Sequence, residues 1–281
     1  MIFHRVLGLA LFLAATGMVS AADDAKSLTL TDLPAAVQKT ITGQIADGQL
    51  GDIDKTNEGR ETVFDVSYTP KGGEERDLTV ADDGTLLTLE VGLTELPAAV
   101  QATIQTQASG SNLESVEKNL DDAEVTYDVE VSKDGKDRSF TVAADGDLLS
   151  EEVSLTTTPA AVQSAVSAKI GEGTFQSIDE SFEPEGNSFD VEALSKDGAH
   201  ISFSVSATGE LLTEEVALSK VPPAARKTIQ TKIGDGKIIK INKSLSEKKD
   251  GVLPYEVQGR KDGKAYDFSV GPKGRFLGLD Q

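Results

Sequence analysis

The chain has 281 residues, with 27 Lys and Arg against 47 Asp and Glu, a formal net charge of −20, and neither cysteine nor tryptophan. Disulfides and lipid attachment through a cysteine are thereby excluded, and zinc lacks a ligand set without cysteines or paired histidines. The charge is segregated: residues 1–218 hold 13 basic and 40 acidic side chains, residues 219–281 hold 14 and 7, a pattern that concerns solubility and partner choice rather than fold.

At the start, His4 and Arg5 precede an apolar run from Val6 to Ala15, and Val19-Ser20-Ala21 places small residues ahead of Ala22. That layout predicts a signal peptide over residues 1–21, cleaved near Ala21, and hence a secreted or periplasmic protein. The run falls short of the roughly 20 residues a membrane span needs, and no transmembrane segment is expected in the mature chain.

The next stretch, Leu33-Pro34-Ala35-Ala36-Val37, returns as Leu96-Pro97-Ala98-Ala99-Val100, as Thr158-Pro159-Ala160-Ala161-Val162 and as Val221-Pro222-Pro223-Ala224-Ala225. A fixed period of this length predicts tandem units. We place them at residues 28–92, 93–155, 156–218 and 219–281. A unit of about 60 residues buries only about 60% of its unfolded surface, so neighbours should lean on one another.

Each unit opens on a helix. Proline suits a helix start, and it pushes the residue before it out of the α region. Thr31, Thr94, Thr156 and Ser219 stand three residues ahead and are expected to help cap it. Apolar residues then recur every fourth position: Val37, Ile41, Ile45; Val100, Ile104, Ala108; Val162, Val166, Ile170; Ala225, Ile229, Ile233. This spacing makes one apolar stripe on an amphipathic helix, and glycines follow it at Gly48, Gly110, Gly171 and Gly234.

Strands come next, alternating with period two. A short one is expected near Ile53, Val116, Ile178 and Ile239. Then come Phe64-Asp65-Val66, Tyr127-Asp128-Val129, Phe189-Asp190-Val191 and Tyr255-Glu256-Val257. Turns at Lys71-Gly72-Gly73, Lys133-Asp134-Gly135, Lys196-Asp197-Gly198 and Lys261-Asp262-Gly263 lead to a third strand, and Asp83-Gly84, Asp145-Gly146, Thr208-Gly209 and Lys273-Gly274 lead to a fourth. Asp-Gly between alternating runs is a strong hairpin signal. The expected fold is α+β: four tandem repeats, each with one helix packed on a four-stranded antiparallel meander. The sheet face away from the helices is expected to be open and polar.

Leu-Pro-Ala-Ala-Val, then Tyr/Phe-Asp-Val, Lys-Asp-Gly and Asp-Gly-x-Leu-Leu, resembles the PepSY-like, β-lactamase-inhibitor-like (BLIP-like) domain family, over essentially all of residues 28–281 as four copies. The resemblance implies an exported bacterial protein with a helix on a four-stranded antiparallel sheet. It also implies binding or inhibition of a partner, proposed for the family to be a peptidase, rather than catalysis. No catalytic residues carry over. The fourth copy departs, with Arg226 at a position neutral in the other copies, Lys227 at one that is basic otherwise only in the first (Lys39), Pro223 as a second proline and its charge inverted.

The residues themselves supply little for catalysis. After the expected leader the one histidine is His200, placed beside a hairpin turn at the surface, and no P-loop, Gly-x-Ser-x-Gly or dinucleotide glycine pattern occurs. An enzyme, a cofactor and a catalytic or metal site are therefore not expected. The candidate partner-binding residues are Asp65, Asp128, Glu130, Asp190 and Glu192 on the polar row, and Arg226, Lys227, Lys237 and Lys240 in the basic unit. The leading reading is a protein-binding module, with a peptidase or other enzyme as the partner to be inhibited by surface complementarity. The first alternative is an envelope-associated protein that self-assembles through the opposite charges of units 1–3 and unit 4, or whose unit 4 engages an anionic envelope polymer. The second is calcium binding at Asp82-Asp83-Gly84, Asp121-Asp122-Ala123-Glu124 or Asp145-Gly146-Asp147 with Glu151 and Glu152, none of which has the twelve-residue loop spacing. Nucleic acid is not an expected partner, since exposed aromatics are few.

Overall fold

The computed structural model describes residues 28–58, 61–120, 124–184, 186–261 and 263–280. The expected signal peptide, residues 1–21, lies outside them. The described residues form four α-helices and one antiparallel sheet of 17 strands. Helix α1 (Ala35–Ile45) is followed by β1 (Gln49–Glu58), β2 (Glu61–Thr69), β3 (Arg76–Ala81) and β4 (Leu86–Glu90). Helix α2 (Ala98–Gln107) precedes β5 (Asn112–Asn119), β6 (Thr126–Lys133), β7 (Lys136–Ala143) and β8 (Leu148–Glu152). Helix α3 (Ala160–Ile170) precedes β9 (Thr174–Ser181), β10 (Ser188–Leu194), β11 (His200–Ser206) and β12 (Leu211–Glu215). Helix α4 (Pro223–Ile233) precedes β13 (Lys237–Ser244), β14 (Tyr255–Lys261), β15 (Lys264–Ala265), β16 (Phe268–Val270) and β17 (Phe276–Leu279).

The four apolar stripes lie on the sheet. Val37 and Ile41 pack with Ile53, Phe64, Val66, Leu78 and Val80, and Val100 and Ile104 with Val116, Val129, Phe140 and Val142. Val162 and Val166 cover Ile178, Phe189, Val191, Phe203 and Val205, while Ala225, Ile229 and Ile233 cover Ile241, Val257, Phe268 and Val270. Each large side chain so buried contributes roughly 1.5–3 kcal/mol.

The helix starts differ from expectation. Thr31, Thr94, Thr156 and Ser219 lie in short 3-10 turns, Leu30–Asp32, Leu93–Glu95, Leu155–Thr157 and Leu218–Lys220, and none caps the α-helix. They stand too far ahead, because Pro34, Pro97, Pro159 and Pro222 themselves occupy the N-cap positions, where a proline has no side-chain oxygen to offer. A side chain from the first turn reaches back instead: Gln38, Gln101 and Gln163 each donate to the carbonyl of the residue before the proline, at 2.8 Å.

The Ala-Ala pair and the second turn's glycine explain each other. The turns at Gly84, Gly146, Gly209 and Gly274 press against Ala36, Ala99, Ala161 and Ala224. At Gly146, φ is +99° and an added Cβ would lie 2.8 Å from the Ala99 Cβ. Thr103 Oγ1 donates to the Gly146 carbonyl at 2.6 Å, as Thr40 does to Gly84 and Thr228 to Gly274. Gly146→Ala meets both the left-handed backbone and the clash. We expect a loss of about 2–3 kcal/mol in urea unfolding, against near-neutrality for Gly43→Ala, where nothing lies within 4 Å.

The strands pair with their neighbours in chain order. Within each group the ladders are ordinary hairpins. Between groups, β4 pairs with β5, β8 with β9 and β12 with β13, so the sheet runs on without a break. The expected third strand of the last group is split. Gly259 N–H donates to Asp267 Oδ1, and Tyr266 N–H donates to the Gly259 carbonyl, which separates β15 from β16.

Candidate binding surface

The polar face is more enclosed than expected, because in a continuous sheet every interior strand is flanked on both sides. Asp65, Asp128, Glu130, Asp190 and Glu192 are half-buried rather than open. The three aspartates each accept hydrogen bonds from both flanking strands. Asp65 accepts Thr56 Oγ1 at 3.0 Å and Thr79 Oγ1 at 2.9 Å. Asp128 accepts Asn119 Nδ2 at 2.8 Å and Thr141 Oγ1 at 2.6 Å. Asp190 accepts Ser181 Oγ at 2.8 Å and Ser204 Oγ at 2.7 Å. Each aspartate thus tethers the strands before and after it. In the fourth group Ser269 Oγ donates to Asp280 instead, at 2.6 Å.

Around these anchors run acidic rows absent from the sequence expectations. Glu90 faces Glu117, which faces Asp128; Glu152 faces Asp179, which faces Asp190. Burial, reinforced by Asp128, Glu130, Glu90 and Asp77, pushes Glu117 up to about 7. Burial with Glu152, Asp190, Glu192 and Asp128 does the same to Asp179. Glu256 is likewise pushed up to about 7 by burial and by Asp280 and Glu247, with Lys249 acting against them. Burial also raises Glu130, Glu152, Glu90 and Asp77. The signal was present, since Glu117 and Asp179 alternate with Val116 and Ile178. It is invisible without knowing that β4 and β8 lie alongside.

At the third junction the pattern changes, with Glu215 facing Asn242 and Asn242 facing Glu256. Here the basic residues enter. Lys240 Nζ lies 2.9 Å from Ser202 Oγ and 3.8 Å from Glu215. Glu214 takes both Lys243 at 2.9 Å and Lys169 at 2.6 Å, and these hydrogen bonds hold its carboxyl below the usual range. Lys237 pairs with Asp82, 155 positions earlier. Burial opposes ionisation of the neighbouring Asp83, yet the Thr85 hydrogen bonds and the charges of Arg260 and Lys237 hold it low. A Cβ at Gly263 would sit 3.1 Å from Thr85 Oγ1. The start of β13 and the β14–β15 hairpin therefore meet the turn between β3 and β4.

Arg226 lies apart from both clusters. It replaces the helix-start glutamine, donating to the carbonyls of Val221 at 3.0 Å and Ser219 at 2.7 Å. Lys227 is exposed on α4. The candidate residues therefore do not form one patch: Asp128, Glu130, Asp190 and Glu192 share the acidic face, Lys237 and Lys240 border it, and Arg226 and Lys227 belong to the helix.

His200 is 55% exposed, with Nε2 2.6 Å from Glu192 Oε2. Among the described residues no three His, Asp or Glu side chains are grouped to hold a metal ion. Asp83 Oδ1 accepts Thr85 N–H at 2.9 Å and Asp145 Oδ1 accepts Asp147 N–H at 3.2 Å, so both close their own turns. Residues 121–123 of the remaining acidic stretch lie outside the described residues. No helix among the described residues is long and apolar enough to cross a membrane.

The family model described as "Putative beta-lactamase-inhibitor-like, PepSY-like" matches residues 87–150 and 187–276, more than half of the chain. The chain belongs to the PepSY-like family. Solved structures similar to this PepSY-like chain include a "putative periplasmic" protein from Bacteroides eggerthii, 18% identical over 42% of this chain and 87% of that one, with a TM-score of 0.34. A BLIP-like protein from Bacteroides fragilis is 18% identical over 42% and 84%, with a TM-score of 0.32. A "putative calcium-regulated periplasmic protein" from Bacteroides thetaiotaomicron is 15% identical over 44% and 94%, with a TM-score of 0.28. No curated protein matches the chain.

Proposed function

We propose that this PepSY-like protein is an exported, non-catalytic protein-binding module, built of four tandem copies of one helix-on-sheet unit over residues 28–92, 93–155, 156–218 and 219–281. It acts by surface complementarity on a protein partner; the inhibitor-like family description supports inhibition of an enzyme, and a peptidase is the target that the sequence resemblance implies. The observation that carries this reading is the acidic face. Its carboxylates Glu90, Glu130 and Glu152 stand on paired strands around the tethered Asp128 and Asp190, with Glu117 and Asp179 beside them gaining charge as pH rises through about 7. Fixed charge of one sign steers and orients a partner of the opposite sign.

Its chemistry suits a basic protein surface. The test is capture from a bacterial envelope extract with the folded protein as bait. The expected result is a discrete basic protein retained by the parent and lost on Glu90→Gln/Glu130→Gln/Glu152→Gln, with the variant's melting curve intact. Retention by both baits, or by neither, refutes the acidic face as the docking surface.

A further inference from the structure

Three times in this chain the last strand of one group joins the first strand of the next, each time in the same register. Thr88, Leu89 and Glu90 face Asn119, Lys118 and Glu117. Ser150, Glu151 and Glu152 face Ser181, Glu180 and Asp179, and Thr213, Glu214 and Glu215 face Ser244, Lys243 and Asn242. The flanking hydrogen bonds also recur. Leu120, Phe182 and Leu245 donate their N–H to the carbonyls of Leu87, Leu149 and Leu212, each at 2.8 Å. Val91, Val153 and Val216 donate to those of Val116, Ile178 and Ile241 at 2.8–3.0 Å.

Both halves of a fourth such junction are present and unjoined. Among the described residues β1 pairs only with β2, and β17 only with β16. Thr56 and Asn119 occupy equivalent places, each donating to the aspartate of the next strand. The uncovered edge shows in the exposure: Asp54, Lys55 and Thr56 are exposed, whereas Glu117 and Lys118 are half-buried and Asn119 is 2% exposed. Ser181 and Ser244, covered by β8 and β12, are equally buried. On the other half, Leu277 stands where Leu87, Leu149 and Leu212 stand, and Leu279 is 52% exposed.

We infer that β17 of one molecule pairs with β1 of a second copy, Gly278 facing Thr56, Leu279 facing Lys55 and Asp280 facing Asp54, so that the sheet continues from one chain into the next. This goes beyond the proposed binding of a foreign partner and does not depend on it. The occupant is a second copy because the two edges carry the two sides of a join that the chain already makes within itself. Facing Asp280 and Asp54 are no bar, since Glu90 and Glu117, and Glu152 and Asp179, face each other within the chain. Opposite charge is not the attraction, as Lys237, Lys240 and Lys243 are engaged internally. Unpaired strand edges supply a row of hydrogen-bonding groups, and a head-to-tail contact grows beyond a dimer unless its rotation closes a ring.

Alternation of backbone direction makes the amides of Lys55 and Leu279 point outward, away from β2 and β16. Proline at either place removes an outward donor and leaves the inner ladder intact. Sedimentation velocity of the purified protein over a wide concentration range is the test. The parent's weight-average mass should rise past that of a dimer, and added salt should not dissolve the species. Lys55→Pro and Leu279→Pro should each shift association to at least about tenfold higher concentration. An equimolar mixture of the two variants should give a dimer and nothing larger, because one intact β1 edge and one intact β17 edge remain between them. That mixed dimer also shows that both variants are folded. A parent that stays monomeric, variants that associate like the parent, or a mixture that stays monomeric overturns the inference.

Discussion

The protein should melt at a higher temperature at pH 5.5 than at pH 8. Glu117, Asp179 and Glu256 have their carboxyls pushed up to about 7 in the folded chain, against about 4 for the same groups unfolded. Between those values the native state holds more protons than the unfolded state, so stability falls as pH rises through this window and is flat above it. The contribution is fully present below about pH 4. There, however, the lowered carboxyls of Asp83, Glu95 and Glu214 begin to act in the opposite sense, which places the optimum between about pH 4 and 6. Each of the three raised groups is worth about 1–3 kcal/mol. With about 2–4 °C per kcal/mol for a chain of this size, the three together should move Tm by roughly 5–35 °C. Glu117→Gln and Asp179→Asn should each raise Tm at pH 8 and leave it little changed at pH 5.5. A Tm that climbs from pH 5.5 to 8, or neutral variants that destabilise at pH 8, would contradict the assignment of unrelieved charge to this face.

Ile104→Asp should unfold its part of the sheet outright. Ile104 is 1% exposed beneath α2, against Val116, Val129, Phe140 and Val142. A carboxylate there has no cation among the residues of that cluster, and burying an unpaired charge costs several kcal/mol, a large share of the 5–15 kcal/mol that holds most domains together. Ile104→Val, which removes one methylene, should cost only about 0.5–1.5 kcal/mol. Since the ladders joining β5–β8 to the flanking strands are short, three paired positions at each end with a hydrogen bond on either side, the damage should start there. Trypsin below the parent's melting temperature should cut Ile104→Asp first within residues 93–155. A melting curve and digestion pattern like the parent's would show that the stripe on α2 does not hold that part of the sheet.

The helices and hairpins were legible because local chemistry specifies them. Pro97 with Ala98-Ala99 starts a helix, Val100 and Ile104 mark its buried stripe, and Asp145-Gly146 turns the chain under it. What was not legible depends on partners distant in sequence. Nothing around Glu117 announces that Glu90 lies beside it, so strand alternation exposes Asp128 and Glu130 as outward-facing but not the row that Glu90 and Glu117 make with Asp128. Arg226, a candidate docking cation, also serves the helix start, a substitution for glutamine that keeps the donor and adds a charge. Lys237 and Lys240 looked like an outward-facing basic patch. The close of the chain on its own beginning, through Asp82, is the kind of contact that no periodicity reveals.

The pairing of strands with near neighbours in chain order has a kinetic corollary. Each ladder closes a short loop, so the entropy lost before the first favourable contact is small, and chains of this kind belong with the faster-folding β proteins. A nascent molecule emerging end first can add one hairpin after another to a growing template, with no need to wait for its far terminus. The late event is the meeting of β13 and the β14–β15 hairpin with the β3–β4 turn, through Lys237 and Asp82 among others, which requires most of the polypeptide to be in place and therefore times the completion of the molecule rather than its start.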